Sequence, residues 1–353
     1  MSDEITRKKP DDTVYAVGFS LWKRQHVLAF FCDQKVIFLR KPSQLPKNKL
    51  ICVATWGVRI PNEHFPLLAQ IIRLEDGFLR SVGLGADLVR PLSWVRDTRG
   101  IYYDATGPSD LEHFLQEGDF SEMLVGRARK LRENIVAAEL TKYNTGTGVW
   151  LRPQGAARVI LVPGQVESDA SILRGAAGIK TNLGLIQQVH RENADAYVVY
   201  KPHPDVVAGL RVEGNGESDA REFCDEVIGD IAMSVLLNQV DEVHTLTSLT
   251  GFEALMRGKK VVAYGMPFYA GWGLTEDRGM SETVAARRKR RLTLDELIAG
   301  TLILYPTYVS RETRGISTPE NALRELGDWR DNQPVNPPVW RRVLREILGF
   351  FKD

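Results

Sequence analysis

Residues 158–204 read RVILVPGQVESDASILRGAAGIKTNLGLIQQVHRENADAYVVYKPHP. A short apolar run, Val159 to Val162, meets Pro163-Gly164. A polar loop follows, then a helical pattern (Leu183, Ile186, Val189) and a second apolar run, Tyr197 to Tyr200. This is a β-loop-α-β unit. Neither run alternates with polar residues, so both fit strands covered on two faces in a parallel sheet. Ligands of such sheets bind outside the carboxyl ends of the strands. At those ends stand Gln165, Glu167 and Asp169 on one side and Lys201, His203 and Asp205 on the other. Acid, base and cation are therefore expected to converge on one crevice.

The chain of 353 residues suits two domains of ordinary size, and 43% hydrophobic residues supply two cores. A net charge of +1 gives no support to a nucleic-acid partner. Cys32, Cys52 and Cys224 are too scattered for a disulfide framework or a zinc site, and the six histidines show no ligand spacing, so no metal is expected. A reducing, cytoplasmic setting is the expectation. No apolar run approaches the roughly 18 to 20 residues of a membrane span. Residues 1–13 are polar, without a signal-peptide core, and are expected to form a disordered lead.

Outward from the central unit, the chain alternates β and α patterns. The first domain is expected over 14–150, with strands in VYAVGFS, KVIFLRK and from Ile51, an amphipathic segment over Trp22 to Cys32, and a helix in HFPLLAQ. Ser109 followed by Glu112 reads as a capping box, and a longer helix is expected over Ser121 to Leu140. Asn144 to Gly148 reads as the linker. The second domain is expected over 151–280. There TLTSLTGFEALM places Ser248, Thr250 and Gly251 at a helix start, where backbone N–H groups suit a phosphate. MPFYAGWGLTED reads as a mobile rim over the crevice. Residues 281–353 are expected to be helical, with a basic run Arg287 to Arg291 and a basic amphipathic tail over 339–351. These two features suggest peripheral attachment to an anionic membrane surface.

Residue type leaves alternatives open at several positions. Asp169 is a catalytic carboxylate or a helix N-cap. Lys201-Pro-His203-Pro is a rigid presenter of two cations or a structural turn. Glu75 and Asp76 form half of an acid/base pair or tether Arg73 or Arg80. Glu253 bonds a ribose or faces solvent. The 287–291 run is a membrane patch or a solvated face, and the tail packs on lipid or on its own protein.

LEDGFLRSVGLGADL, RGIYYDATGPSDLE, VPGQVESDASI, KPHPDV, TLTSLTGFEALMRGKKVVAYGMPFYAGWG and RLTLDELIAGTLILYP together resemble the KpsC-type capsule-polysaccharide β-Kdo transferases of Gram-negative bacteria. The resemblance implies an α/β fold of GT-B type, with two Rossmann-like domains facing each other across a cleft. It implies a retaining transfer from CMP-β-Kdo, without metal or other cofactor, to a Kdo-terminated lipid-linked acceptor at the cytoplasmic face of the inner membrane. The family's Gln-x-x-x-Asp motif falls on Gln165 and Asp169, and its His-Pro motif on His203-Pro204. Asp169 would be the nucleophile and Glu75 the acid/base partner. Lys201, His203, Ser248, Thr250, Gly251 and Glu253 would hold nucleotide and sugar carboxylate, with Arg80 a further substrate-binding cation. KpsC proteins carry two such modules; this sequence matches one, and its opening VGFSLWKRQHVLAFF is more similar to the second, which makes the 2→7 linkage. It is expected to be either an excised module or a single-module relative. A nucleotide-sugar 2-epimerase and a non-catalytic glycolipid-binding partner in capsule export remain as other readings.

Overall fold

A computed structural model describes residues 12–83, 89–142, 144, 146 and 148–332. The chain begins β1 (Thr13–Val17), α1 (Leu21–Phe30), β2 (Lys35–Leu39), β3 (Ile51–Trp56), β4 (Ala69–Asp76) and β5 (Ser93–Asp97). Two helices follow, α2 (Asp110–Glu117) and α3 (Glu122–Ala137). The central unit is β6 (Val159–Pro163), α4 (Ala170–Gly175), α5 (Asn182–Glu192) and β7 (Tyr197–Lys201). Next come α6 (Pro204–Val207), β8 (Glu226–Val227), α7 (Met233–Gln239), β9 (Glu242–Thr245), α8 (Leu249–Met256), β10 (Lys260–Ala263) and β11 (Glu276–Asp277). The described chain ends with α9 (Glu282–Arg287), α10 (Leu294–Ile298), β12 (Pro306–Val309), β13 (Ile316–Ser317) and α11 (Pro319–Asp331).

The strands form two sheets. One has six strands in the order β11-β10-β9-β6-β7-β8, and every pairing in it is parallel. All five residues of β6 are buried, as a doubly covered central strand requires. The other sheet has seven strands in the order β13-β12-β5-β4-β3-β1-β2. It is parallel through β4, then antiparallel across β5, β12 and β13. The largest apolar cluster joins residues near both sheets, among them Phe78, Val95, Leu161, Val199, Phe252 and Trp272.

Four expectations are corrected here. HFPLLAQ is not a helix: Leu67 is fully exposed and β4 starts at Ala69. Pro66 lacks the N–H a helix interior needs, and Leu67 finds no core to cover. The segment after 281 is not wholly helical, because β12 returns to pair with β5 and carries β13 with it. MPFYAGWGLTED is no loose rim: Tyr269 and Trp272 have no solvent exposure, and Trp272 Nε1 donates to Phe268 O at 2.8 Å. Large rings bury more apolar area than any other side chains, and here Tyr269 and Trp272 fill the core while Pro267 and Phe268 line the cleft.

The basic run is the fourth. Arg287 and Arg288 both donate to Glu112, at 2.7 and 3.0 Å, while Arg290 reaches Glu296 and the carbonyl of Gly118. Three of the five cations are thus committed inside the protein, and Lys289 and Arg291 stay exposed. The same pairing explains why Ser109 caps α2 through Glu112 N but the box is only half made, since the Glu112 carboxylate is already taken. The tail over 339–351, Gly85 and most of the lead lie outside the described residues. Among the described residues no helix is long and apolar enough to cross a membrane.

Candidate active site

The carboxyl ends of both sheets open into one cleft of about 1430 Å³. In each sheet the strand order reverses beside the strand that comes first in its series: at β1/β3 in the seven-stranded sheet and at β6/β9 in the six-stranded one. Adjacent loops leave such a point in opposite directions, which opens a crevice. Asp169, Glu75, Gln165, Lys201, His203, Ser248, Thr250, Glu253 and Arg80 all line the cleft. Gly251 does not; its α-carbon abuts the Tyr269 ring, whose hydroxyl donates to Ser248 O at 2.6 Å.

On the six-stranded side, Gln165 is held by both ends of its carboxamide. Its Nε2 donates to Thr247 Oγ1 at 3.0 Å and its Oε1 accepts from Thr247 N at 2.9 Å. The carboxamide therefore pins the chain after β6 to the chain after β9 while Gln165 still lines the cleft. Asp169 stands at the N-cap of α4, yet its side chain caps nothing. It pairs instead with the guanidinium of Arg211, and both side chains stay partly open to the cleft. Of the two readings of Asp169, capping by the side chain is excluded.

Lys201 and His203 are held differently from two exposed cations. Lys201 Nζ donates to Gly229 O at 2.7 Å, and burial lowers its pKa to about 8. His203 Nδ1 accepts from Asp205 N at 3.1 Å, so the turn reading of this motif is also correct. Burial, with Lys142, Arg211 and Lys201 adding to it, lowers the His203 pKa to about 4. His203 is thus a neutral imidazole whose proton sits on Nε2, a hydrogen-bond donor and not a cation. Ser248 caps α8, accepting from Thr250 N at 3.2 Å, and its hydroxyl also meets Thr250 Oγ1 at 3.1 Å. Glu253 is buried, accepts Lys142 N at 2.7 Å, and is raised to about 6 by burial. It does not face solvent; one carboxylate oxygen anchors the segment that joins the two halves, and the residue lines the cleft.

Across the cleft, the end of β4 carries two carboxylates with opposite fates. Asp76 pairs with Arg80 at 2.6 Å. Burial pushes Asp76 up, but Arg80, Lys142 and Lys23 outweigh it and leave its pKa below the usual value. Arg73 is spoken for by Gly57 O and Asn62. Glu75 takes neither arginine. Burial, then the Asp76 charge, raise its pKa from 4.5 to about 7, while the Asp76 N–H it accepts at 3.0 Å works the other way. Two titratable groups pushed apart by their surroundings are a mark of acid/base assignment. Tyr103 lies beside Glu75, and the Glu75 charge adds to burial in raising its phenol.

Sequence reasoning missed Arg211, Lys142, Lys23 and Tyr103 at this cleft. Arg211 stands in a polar loop 42 residues from Asp169, with no pattern to mark it. Tyr103 does lie in a quoted motif, RGIYYDATGPSDLE, but its hydroxyl could not be placed without the end of β3. Among the described residues no group of three or more His, Cys, Asp or Glu is placed to hold a metal ion.

Two sheets whose carboxyl ends open into one cleft, with carboxylates on opposite walls and donors between them, define an α/β protein with a shared polar crevice. Residues 52–148 and 150–308 match the family described as capsule polysaccharide biosynthesis protein. The chain is similar to the capsule polysaccharide modification protein LipA of Neisseria meningitidis serogroup B, 43% identical over 354 residues, with 96% of this chain and 49% of LipA covered. It therefore spans about half the length of the LipA proteins it matches. Among solved structures it is similar to the β-Kdo 2,7 transferase of Thermosulfurimonas dismutans KpsC, at 40% identity and TM-score 0.74, covering 90% of this chain and 99% of that one. The β-Kdo 2,4 transferase of the same KpsC is 33% identical with TM-score 0.78 and the same coverage. The chain belongs to the capsule polysaccharide biosynthesis family, among its KpsC-type Kdo transferases.

Proposed function

We propose that the protein is a retaining β-Kdo glycosyltransferase of GT-B type. It moves Kdo from CMP-β-Kdo to a Kdo-terminated, lipid-linked acceptor in the assembly of a capsule polysaccharide linker. The observation that carries this reading is Asp169: a half-exposed carboxylate at a helix start that caps nothing, held by Arg211, facing the cleft that Glu75 enters from the other wall. Retention requires two inversions or a same-face attack, and a positioned carboxylate provides the first. Asp169 forms a bond to the anomeric carbon as the bond to the CMP phosphate breaks. The acceptor hydroxyl then attacks that carbon, its proton passes to Glu75, and Asp169 leaves. A base with a pKa of about 7 is matched to that proton transfer near neutral pH.

The donor lies on the six-stranded side. Lys201 supplies positive charge, His203 Nε2–H and the Ser248/Thr250 turn supply donors, and no metal or other cofactor is required. The acceptor lies on the seven-stranded side, so residues 14–150 form the acceptor half and 151–280 the donor half. Sequence identity favours the 2→7 linkage, since the two structural overlaps are too alike to separate it from 2→4. The protein works in the cytoplasm, and the 339–351 segment holds it at an anionic surface; sedimentation with anionic vesicles that falls with salt tests this attachment.

Incubation with CMP-Kdo, formed in situ, and a Kdo-terminated acceptor tests the reaction. The expected product carries a β-linked Kdo, and without acceptor the intact mass should gain one Kdo on Asp169. An α-linked product sinks the double displacement, and an adduct on another residue overturns Asp169 as its nucleophile. Donor turnover that yields only altered nucleotide sugar would point to epimerase chemistry.

A further inference from the structure

The crevice at β1/β3 is the counterpart of the one at β6/β9 beside Gln165, and it lies on the acceptor side of the reaction proposed above. Trp22 and Lys23, in the first turn of α1, Trp56, the last residue of β3, and Arg59, just past it, line it. Trp22, Lys23 and Trp56 are partly open, and Arg59 is exposed. Lys23 Nζ sits 2.9 Å from the centre of the Trp56 ring. Among the described residues neither Lys23 nor Arg59 forms a salt bridge, although the carboxylates of Glu75 and Asp76 attract Lys23 and Arg59 repels it. Two neighbouring cations without a salt-bridged carboxylate form a place that an anion would stabilise.

Trp94 lines the same cleft, packs on Trp56 with ring centres 5.2 Å apart, and has no solvent exposure. Its Nε1–H has no hydrogen-bond partner. A buried indole normally finds one, and leaving that bond unmade is costly.

We infer that this crevice is a subsite for a carboxylate-bearing sugar ring, the terminal residue of the acceptor, with Trp22 against its apolar face and with Lys23, seated on the Trp56 ring, and Arg59 on its carboxylate. The aromatic face is electron-rich and meets the C–H side of a pyranose, while the cations at its edge select an acid over a neutral sugar. A nucleotide base would also stack on indole, but the donor's phosphate-binding groups lie on the opposite wall. The subsite deepens the transferase reading and rests on it for the name of its ligand as acceptor.

Binding, rather than turnover, separates the two claims. The full chain is titrated with the methyl glycoside of Kdo, with its uncharged carboxamide, and with CMP, following tryptophan fluorescence and calorimetric heat. The acid should bind, the carboxamide should bind at least about tenfold more weakly, and Lys23→Met and Arg59→Met should weaken the acid by a similar factor. Both variants should keep the parent's melting temperature and CMP affinity, which separates a lost contact from a lost fold. Absence of acid binding to the parent, equal binding of acid and carboxamide, or unchanged affinity in both variants overturns the subsite. If the acid binds through Lys23 and Arg59 but no Kdo is transferred, the subsite stands and the reaction falls. If transfer occurs while both variants keep the parent's acceptor KM, the subsite alone falls.

Discussion

The Arg211 guanidinium holds Oδ1 of Asp169, a contact that spans 42 residues of sequence and takes the carboxylate away from the helix it begins. One carboxylate oxygen is thereby fixed, and the other is left to react. Arg211→Ala should leave CMP binding intact and lower transfer by about 10²-fold, the scale on which a displacement of ~1 Å acts. Initial rates with CMP binding as the control measure this, and a variant as fast as the parent would show that the pairing is incidental.

The pH profile of kcat/KM should be a narrow bell. Glu75 must lose its proton to act as base, so the rate rises through about 7. Lys201 must keep its proton to hold an anionic donor, so the rate falls through about 8. Lys201→Met should abolish the alkaline limb and raise the donor KM. A profile flat from 6 to 9 would remove both assignments.

Glu75 should also cost stability. Its folded pKa of about 7 lies above its ordinary 4.5, so the folded state binds the extra proton between those values. Stability therefore falls as pH rises from 4.5 through 7, and the deficit is complete above 7. Glu75→Gln should melt about 2 to 4 °C higher at pH 8 and unchanged at pH 4, while losing transfer. Equal shifts at both pH values would contradict the ionisation.

Glu112→Ala should be among the most destabilising single changes in the chain. It strands Arg288, which is 3% exposed, and also frees Arg287. Removing one partner of a buried ion pair costs about 3–5 kcal/mol, whereas Glu312→Ala, at an exposed pair with Arg324, should cost far less. Urea unfolding of the two variants compares them directly.

Gly57 follows β3 at φ +49°, and a Cβ there would strike the Tyr103 hydroxyl and come within 3.2 Å of Glu75 Oε2. Gly57→Ala should therefore displace the acid/base carboxyl, raising the acceptor KM and lowering kcat more than its unfolding cost explains. A variant with lowered stability but normal kinetics would show that the close approach is structural only.

Much of the scaffold was legible from the residues. The runs at 159–162 and 197–200 have no polar alternation, and they became the buried centre of a parallel sheet. Because ligands of such sheets gather at the carboxyl ends, the same reading brought Asp169, Lys201 and His203 to one cleft with Ser248, Thr250 and Glu253. Where local pattern misled, long-range packing had overruled it. HFPLLAQ has helical spacing but a proline inside it, and the aromatics of MPFYAGWG look like a loop until a core is present to receive them. The run at 287–291 reads as a cationic surface because nothing nearby in sequence announces that Glu112 will meet it from α2.

The sequence by itself determined the buried strands of the central β-loop-α-β unit, the helix starts at Ser109 and Ser248, and the gathering of Asp169, Lys201 and His203 at one cleft, because periodicity and chain punctuation are local properties. Tertiary structure alone decided the state of each group. It made His203 a neutral donor by burial, split Glu75 from Asp76 by giving only the latter an arginine, turned Gln165 into a clamp on Thr247, and delivered Arg211 to Asp169. Protonation and pairing depend on distances of a few ångströms and on water excluded by residues far away in the chain, and no spacing along the sequence encodes those quantities.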